Sequence, residues 1–526
     1  MVCQARKAWL IPLFAAHTQD DCTSPTARDA LQRLPSLSAR GDATYQTLRG
    51  LHNSSSFPSF PVRQYWLYRH WNMAVQQSVL NPEPRLLPGP QLLHQLVASD
   101  GKGAATAIEH CAEDGTIERL SYDDLHARSN ALAHKLLAAR RTSAPSANGR
   151  FIVPVYIPQC LELYISQLAI LKAGGAFCPV ALDAPEERLR FILRDVEADV
   201  LLTVSGVRHK LPQLADVLVI ISDVASPSDA QESPTSSVEP SHAAYIMLVL
   251  SSFPDLAPRY TDRNRYTSGS TGTPKGVVLS HSAATQALLA HDRHIPPFSR
   301  FLQFANPTFD VSVFEIFFPL YRGVTLVTCE RRRLLNDLSG VISELDVDAA
   351  ELTPSVAATL LNDRQSVPSL QLLLTIGEML KRSVVEEFAG DDDTQGILYG
   401  MYGPTEATIH CTLQTSFTKS MPVNNIGTPL DTVSAFVVKP ASTAASDETP
   451  EVVPIGEEGE LALGGYQLAD GYLNRDEQTR TAFVHHPQFG KLYRTGDRAV
   501  MTPEGKLECL GRISSGQVKL RGQVRT

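Results

Sequence analysis

The sequence lacks the features that would place the protein in a membrane, in an oxidising compartment or on nucleic acid. No apolar run approaches the roughly 18 residues that a membrane-spanning helix needs. The 8 cysteines are scattered without a CxxC pair, which predicts a reducing, cytoplasmic setting and no cysteine-based metal site. The 47 Lys and Arg are outnumbered by 56 Asp and Glu, so the basic excess typical of polyphosphate binding is missing. We therefore expect neither a membrane nor nucleic acid among its partners.

The beginning of the chain shows no sustained hydrophobic period. "ARKAWLIPLFAAH" has the basic-then-apolar order of a short signal peptide, but we prefer to interpret it as a weakly structured amphipathic leader. Ser, Pro and Arg dominate the text that follows. Residues 1–88 are therefore predicted to be an irregular extension with little core of its own.

From residue 89 the pattern changes to alternating strands and helices. Ser121 is the expected N-cap of a helix in "SYDDLHARSNALAHKLLAAR", and "LELYISQLAILKAGG" predicts another helix. The runs "FIVPVYIP", "ADVLLTV" and "DVLVIIS" predict short apolar strands. This alternation indicates a doubly wound, parallel α/β fold. Later runs such as "GELALGG", "KLYRTGDRAVM" and "GKLECLGRI" predict a smaller all-β lobe.

The stretch "RYTSGSTGTPKGVVLSH", residues 265–281, is the strongest candidate for a phosphate-binding loop. It is not a Walker P-loop, because Lys275 is followed by Gly276 and Val277 and not by a hydroxyl residue. Its glycines allow backbone N–H groups to approach an anion, and its hydroxyls suit a phosphate chain that is gripped and then released as pyrophosphate. A Ser/Gly linker is the alternative, which the following strand "VVLSH" disfavours. The hydroxyl side chains belong to Thr267, Ser268, Ser270, Thr271 and Thr273.

This loop and further motifs, taken in order, resemble the adenylate-forming superfamily, specifically the adenylation domains of nonribosomal peptide synthetases. The resemblance spans about residues 90 to 522 and implies the large N-terminal domain of that fold, with two doubly wound α/β subdomains and a smaller β-barrel-like lobe. We assign the adenylation core to residues 89–510. The further motifs are "LSYDDL", "LKAGGAFCPV", "FDVSVFEIF", "MYGPTEATI", "GELALGGYQLADGYLNR", "YRTGDR" and "GRISSGQVKLRG".

The resemblance implies that a substrate carboxylate attacks the α-phosphate of ATP, giving an acyl adenylate and pyrophosphate. The acyl group would then pass to the phosphopantetheine of a carrier protein domain. Glu406 is expected to be a Mg²⁺ ligand, as a hard oxygen donor, and a catalytic residue. The other residues expected to be catalytic are Thr267, Ser268, Thr271 and Lys275.

The same resemblance implies a nucleotide site. Tyr402 is expected to lie against the adenine, Asp497 to accept the ribose hydroxyls, and Thr405 to contact a phosphate. Singly, Glu406 could be a helix-start acid, Asp497 a turn residue and Tyr402 a core aromatic; their joint order favours the nucleotide site. The remaining contacts are expected from the backbone of Gly377, Glu378 and Met379 and from Arg512.

The expected substrate is an amino acid, because Asp310 in "FDVSVF" matches the residue that pairs with the α-ammonium group in amino-acid-activating members. Glu351 is an unusual carboxylate in an otherwise apolar pocket, and either faces a donor on the substrate or points outward. A similarity of the tail to fungal siderophore synthetases suggests an N-hydroxyornithine-type amino acid. The rest of the pocket is expected to be formed by Val311, Phe314, Leu374, Ile376, Met401, Ile409 and His410.

The sequence departs from the family at two places. Residues 248–265 interrupt the text that relatives read directly from "AYIM" into "YTSG", and residues 511–526 are expected to be a hinge and the stub of a missing small C-terminal domain that carries the family's catalytic lysine. Translated intron sequence would account for both, and a regulatory surface loop is the alternative for the first. Two other functions therefore stay open: an acyl-CoA ligase-like enzyme, which Asp310 disfavours, and a nucleotide-binding remnant without activity.

Overall fold

The computed structural model describes twelve stretches of the chain, all within one compact unit, Val75–Thr526. No helix in these stretches is long and apolar enough to cross a membrane. The predicted phosphate-loop residues Thr267, Ser268 and Thr271 lie outside them, as do most of the predicted N-terminal extension and residues 251–265 of the predicted insert. The described stretches are 77–98, 101–140, 151–214, 217–222, 232–234, 237–250, 274–361, 363–391, 396–441, 449–513, 518–520 and 523–525.

Some of the helices begin at a residue whose side chain caps them. The Ser121 side chain accepts a hydrogen bond from the backbone N–H of Asp124, as predicted from its sequence, and Ser280 and Thr353 cap two later helices in the same way. The helices are α1 Tyr122–Ala139, α2 Leu161–Lys172, α3 Glu186–Asp195, α4 Ser205–Arg208, α5 His281–Asp292, α6 Val311–Arg322, α7 Arg331–Asn336, α8 Leu338–Glu344, α9 Pro354–Leu360, α10 Arg382–Phe388 and α11 Asp476–Ala482.

The strands follow the predicted apolar runs, and each of the runs named above contains one. They are β1 Val79–Leu80, β2 Thr106–Cys111, β3 Ile117–Ser121, β4 Ile152–Tyr156, β5 Ala176–Pro179, β6 Val200–Thr203, β7 Leu218–Ile221, β8 Ala243–Leu250, β9 Pro274–Ser280, β10 Arg300–Leu302, β11 Thr325–Cys329, β12 Ala349–Leu352, β13 Leu372–Thr375, β14 Leu398–Tyr402, β15 Thr412–Gln414, β16 Asn425–Pro429, β17 Val433–Val438, β18 Glu458–Gly465, β19 Gly471–Tyr472, β20 Phe483–His486, β21 Gly490–Met501, β22 Leu507–Arg512, β23 Val518–Leu520 and β24 Gln523–Arg525.

One sheet has seven strands in the order β19-β9-β8-β5-β4-β6-β7, and its centre is parallel. Successive residues of β4 enter two different apolar clusters: Val153 and Val155 join one, and Ile152 and Tyr156 join the other. Both faces of the strand are therefore buried, which explains why its sequence is continuously apolar.

The second sheet combines the other two predicted parts of the fold. Strands β14-β13-β12-β10-β11-β2 are parallel neighbours, and the sheet continues through antiparallel β15 and β16 into the lobe formed by β22, β21, β18 and β17. The predicted fold of two α/β sheets and a smaller β lobe is confirmed, with the lobe hydrogen-bonded to one of the sheets. Residues 77–80, from the predicted extension, attach to this lobe through β1 and β17.

Strand β8 runs into the predicted insert before the described part stops. Leu248, Val249 and Leu250 pair antiparallel with Gly276, Lys275 and Pro274 of β9. The first three insert residues therefore continue the strand instead of interrupting it.

Helix α6 packs its apolar side into an aromatic cluster next to the parallel sheet. Phe314 and Phe318 stack with ring centroids 4.8 Å apart, and Phe301 meets Phe314 edge-on at 5.9 Å. The Arg322 guanidinium lies 4.5 Å from the Phe318 ring centre. This cluster holds the N-terminus of α6, where Asp310 is located, against the sheet.

Phe318→Ala should destabilise the fold by about 3–5 kcal/mol, because it opens a cavity in a dense aromatic cluster. Urea denaturation followed by circular dichroism measures the loss. Leu335→Ala, at a side chain that is 45% exposed, is the control and should cost much less. Similar losses for the two variants would mean that the cluster does not stabilise the fold in this way.

Candidate active site

The predicted substrate-binding residues meet at the carboxyl ends of adjacent parallel strands. Strands β10, β12, β13 and β14 are neighbours, and Glu351 of β12 is in register with Leu374 of β13. Asp310 follows β10 and precedes the first residue of α6. The edge formed by strand carboxyl ends is where open α/β sheets bind ligands. The same edge carries Ile376, Met401 and Tyr402, with Ile409 and His410 shortly after β14.

Asp310 is buried and is held by groups from the segment after β14. One of its oxygens, Oδ2, accepts the backbone N–H of Ile409 at 3.3 Å, and the Thr405 side chain gives a second hydrogen bond. Burial raises the pKa of Asp310 to about 6, against the lowering effect of these hydrogen bonds. No Lys, Arg or His in the described part of the chain forms an ion pair with it. Among the described residues, the neighbours of this carboxylate therefore supply hydrogen bonds but no cation.

The apolar members of the predicted pocket differ in exposure. Val311 is half-buried, whereas Phe314 and Leu374 have no exposed surface. Phe314 touches His410 edge-on, with ring centres 4.9 Å apart. Phe314 thus also supports the aromatic cluster. The remaining apolar members, Ile376, Met401 and Ile409, are buried as well.

Glu351 points inward, onto His410. Its Oε1 lies 2.7 Å from His410 Nε2, and neither side chain is exposed. The approach is close but poorly aligned, so both Glu351 oxygens lack a well-directed hydrogen-bond partner among the described residues. His410 Nδ1 lies 2.9 Å from His291 Nε2, and His291 Nδ1 lies 2.5 Å from the carbonyl oxygen of Ala287. The outward alternative for Glu351 does not hold.

The hydrogen bonds that link Ala287, His291 and His410 determine which nitrogen of each histidine carries a proton. The Ala287 carbonyl can only accept, so His291 Nδ1 donates to it and its Nε2 accepts from His410 Nδ1. Burial lowers the pKa of His410 to about 3 and raises the pKa of Glu351 well above its usual range. We conclude that His410 is neutral and that the shared proton resides on Glu351, because separate charges are costly at a buried position.

Hydrogen bonds between predicted nucleotide-binding residues connect the two parts of the second sheet. The Tyr402 hydroxyl, at the end of β14, donates to Asp497 Oδ2 at 2.6 Å, and Arg512 Nη1 donates to Asp497 Oδ1 at 3.1 Å. Asp497 and Arg512 are direct neighbours on β21 and β22. An ionised Asp497 is therefore stabilised by an adjacent cation and by a hydroxyl.

The three residues whose backbone is predicted to contact the adenine lie in the segment after β13. Gly377 has φ of 92°, a left-handed conformation that favours glycine. The Glu378 carboxylate accepts the hydroxyl of Ser355. The Met379 side chain is 54% exposed.

Glu406 and Thr405 lie in a short 3₁₀ turn that the motif "YGPTE" makes possible. A side chain on Gly403 would place its Cβ 2.0 Å from the backbone oxygen of Ile409, so only glycine allows the chain to fold back this tightly. Glu406 is 9% exposed. Lys275, on the strand after the predicted phosphate loop, is buried, and burial lowers its pKa while Glu406 acts to raise it.

Four residues belong to the site without having been predicted from the sequence. His291 supports His410, and Tyr472 and Tyr493 lie beside Glu406. Tyr245 is buried close enough to Asp310 for that carboxylate to help raise the tyrosine's pKa. Both Tyr472 and Tyr493 lie inside motifs quoted above, so the sequence contained a signal from which they could have been predicted as site residues. Nothing in the local sequence distinguishes His291 or Tyr245.

The sequence of this chain matches a known protein family. Residues 97–473 match the model of the AMP-binding enzyme family, which is more than half of the chain. The chain belongs to the AMP-binding enzymes. In the described part of the chain, no group of three or more His, Cys, Asp or Glu side chains could hold a metal by itself.

The curated relatives are fungal peptide synthetases. Nonribosomal peptide synthetase SIDC of Beauveria bassiana is 53% identical over 450 residues, and the siderophore peptide synthetase fer3 of Mycosarcoma maydis is 33% identical over 473 residues. Each match covers 85% of this chain and 9% of the relative. The chain thus spans about a tenth of the length of these relatives.

Solved structures share the fold. The crystal structure of the nonribosomal peptide synthetase FmoA3 aligns with a TM-score of 0.66 and 23% identity, covering 85% of this chain and 44% of that one. Its form with bound alpha-methyl-L-serine-AMP aligns with a TM-score of 0.65 and 23% identity, over 86% of this chain and 48% of that one. The α/β architecture and β lobe described above are thus a fold that this chain shares with FmoA3.

Glu351→Gln should change how the free energy of unfolding depends on pH, because the variant lacks the proton that Glu351 releases on unfolding. Well above pH 6.5 the unfolded chain has lost the protons of Glu351 and His410, whereas the folded pair keeps one, so the contribution of this pair to wild-type stability falls as pH rises. Glutamine cannot lose this proton, so between about pH 7 and 8.5 the variant should gain about 1.4 kcal/mol per pH unit relative to wild type.

Urea denaturation at three pH values in that range measures this difference. Glu457→Gln, at an exposed position, is the matched control and should follow the wild-type slope. A Glu351→Gln slope equal to that of wild type would mean that Glu351 is ionised in the folded protein.

Proposed function

We propose that this chain activates an amino acid with ATP, forming an aminoacyl-AMP for loading onto the phosphopantetheine of a peptidyl carrier domain. The observation that carries this proposal is Asp310, a buried carboxylate whose neighbours in the described residues supply hydrogen bonds but no cation. An α-ammonium group would be that cation. The catalytic core is proposed to be residues 89–510, with residues 511–526 as the hinge and the beginning of a small C-terminal domain.

In the proposed reaction an oxygen of the substrate carboxylate bonds to the α-phosphorus of ATP. The bond from that phosphorus to the oxygen bridging to the β-phosphorus breaks, and pyrophosphate leaves. The carboxylate is itself the nucleophile, so the protein has to position two anions and neutralise charge. Lys275 and the hydroxyls of Thr267, Ser268 and Thr271 are proposed to do this at the phosphates.

The nucleotide would lie along the edge where β14 meets the β lobe. Asp497 would bind the ribose hydroxyls, with Arg512 beside it, and Tyr402 would lie against the adenine opposite the backbone of Gly377, Glu378 and Met379. The Tyr402 hydroxyl occupies one Asp497 oxygen at 2.6 Å. We expect ribose to replace or share this hydrogen bond on binding.

Glu406 fits a Mg²⁺ ion bound together with ATP. Mg²⁺ in nucleotide sites is held by one or two carboxylates plus phosphate oxygens and water. Glu406 Oε1 accepts one hydrogen bond, and Oε2 has no partner among the described residues, which leaves an oxygen for a metal. Bound there, the ion would neutralise phosphate charge, and Thr405 beside it would contact a phosphate.

The proposed substrate has an uncharged, hydrogen-bonding side chain. The pair of Glu351 and His410 carries no net charge, yet both Glu351 oxygens retain hydrogen-bonding capacity. A hydroxylamine of the N-hydroxyornithine type fits this description better than a cation or a purely apolar side chain. The naming of curated relatives as siderophore synthetases supports the same class.

An acyl-CoA ligase-like reaction is the second candidate for the same fold. Its substrate has no ammonium group, so the free-energy cost of burying the Asp310 carboxylate would have no compensating partner. A nucleotide-binding remnant without activity is the third, and it predicts ATP binding without any dependence on amino acids.

Asp310 should make amino acid binding dependent on pH around 6. In the free protein its pKa is about 6, and a bound ammonium group lowers it, so a proton is released on binding near that pH. Affinity should fall toward tenfold per pH unit below about 6, since protonation removes the partner charge. Calorimetry with a panel of amino acids in buffers of different ionisation enthalpy measures both effects.

Asp310→Asn should weaken amino acid binding by several kcal/mol, about 2–5, and abolish the released proton. ATP binding should change little, which distinguishes a local loss from misfolding. Unchanged amino acid binding in Asp310→Asn would contradict the amino acid proposal and favour one of the two alternatives.

Asp497 and Glu406 should affect nucleotides differently. Asp497→Ala should weaken ATP and AMP alike, because both carry the ribose, whereas Glu406→Gln should weaken ATP with Mg²⁺ and slow pyrophosphate exchange while sparing AMP. Equilibrium titration with each nucleotide, with and without Mg²⁺, separates the two. Equal losses of AMP affinity in both variants would overturn these assignments.

A further inference from the structure

A single short segment joins the two residues proposed to handle the ATP phosphates. This bridging segment, residues 469–473, contains β19. Its Ala469 N–H donates to the Glu406 backbone oxygen at 2.9 Å, and its Leu473 N–H donates to the Gly276 oxygen at 2.7 Å, next to Lys275. Gly471 and Tyr472 pair with Val278 and Val277 of β9. The positions of Glu406 and Lys275 are thus coupled through the backbone of five residues.

The side chain of Tyr472 makes the same connection directly. Its hydroxyl donates to Glu406 Oε1 at 2.7 Å, and the ammonium nitrogen of Lys275 lies 5.1 Å from the centre of its ring. This distance is within the range of cation–π attraction. One aromatic side chain therefore contacts both a carboxylate and a cation of the proposed phosphate site.

Tyr472 is itself held in place by a second tyrosine. Its proton goes to the Glu406 carboxylate, so the hydrogen bond between the two tyrosines must be donated by Tyr493. The rings of Tyr472 and Tyr493 also each pack against Phe483, with centroids 5.9 and 5.0 Å away. Hydrogen bonds that run in series polarise one another, so the bond from Tyr493 to Tyr472 strengthens the bond from Tyr472 to Glu406.

We propose that Tyr472 is a positioning residue for the ATP phosphates: it holds one Glu406 oxygen so that the other faces a divalent cation, and it supports Lys275 with its ring. This inference rests on the proposed function. Fixing one oxygen of a ligating carboxylate is how outer residues of metal sites orient their ligands.

Tyr472→Phe tests the hydroxyl alone, because the ring and its contact with Lys275 are retained. Calorimetric titration of the full chain with ATP, with and without Mg²⁺, is the measurement. The gain in ATP affinity on adding Mg²⁺ should shrink by about 10-fold or more in the variant, since loss of such partners typically costs 10–100-fold in metal affinity. Affinity for ATP without Mg²⁺, and for AMP, should be unchanged.

Tyr472→Leu removes the ring as well and should also weaken ATP in the absence of Mg²⁺, because Lys275 loses its support. Tyr493→Phe leaves Tyr472 in place and should shrink the Mg²⁺ effect by a smaller factor, which keeps the test valid if a Tyr472 variant unfolds. Tyr466→Phe, at a ring that is 42% exposed, is the matched control and should behave as wild type. Thermal unfolding confirms that each variant is folded.

The outcomes separate this inference from the function on which it rests. A wild-type chain that binds no ATP overturns the proposed function. A wild-type chain with a Mg²⁺-dependent gain that Tyr472→Phe and Tyr493→Phe both retain in full overturns the positioning role. A loss of AMP affinity equal to that of ATP in Tyr472→Phe would also overturn it, since AMP lacks the phosphates concerned.

Discussion

The constraint on which the rest of this site depends is the burial of acidic side chains along one edge of a sheet. An ionised carboxylate removed from water is very unstable unless it is paired and hydrogen-bonded. Each carboxylate here meets that requirement differently. Asp497 has Arg512, Asp310 has the backbone N–H of Ile409, and Glu351 keeps its proton beside a neutral histidine.

These different partners explain how one edge can serve two chemically different ligands. Where the chain supplies a cation, as for Asp497, the carboxylate is stable and can accept hydroxyl groups. Where the described residues supply only hydrogen bonds, as for Asp310, a cationic group of a ligand is the proposed partner of the carboxylate. The proposed division between a ribose end and an ammonium end follows from this contrast.

The second sheet is continuous, and this sets the distance between the proposed ribose end and the proposed ammonium end of the site. Tyr402 ends a strand of the parallel part, and its hydroxyl reaches Asp497 on β21 of the lobe. Strands β15 and β16 carry the hydrogen bonding from one part to the other. Because the two parts belong to one hydrogen-bonded sheet, the groups on them are held in a defined relation, and positioning of this kind is the main contribution that such a reaction asks of a protein.

Much of the architecture could be predicted from the sequence, because helix caps, apolar runs and glycine turns act over a few residues. Ser121 begins α1 as predicted, the predicted runs contain β4, β6, β7, β18, β21 and β22, and the ordered motifs identify the family. The first three residues of the predicted insert 248–265 continue strand β8, and its residues 251–265 lie outside the described part of the chain. Leu248, Val249 and Leu250 are apolar and pair with β9, and local pattern alone did not reveal that partner.

What the sequence by itself determined is therefore the order of the elements and most of the residues of the candidate site. Only the tertiary structure decided which of them meet. Glu351 and His410 are 59 residues apart, and Glu406 and Tyr472 are 66 apart. Contacts at such separations depend on strand order and crossovers, which no local periodicity encodes. The protonation of Glu351 depends further on burial and on the histidine beside it, and both exist only once the chain has folded.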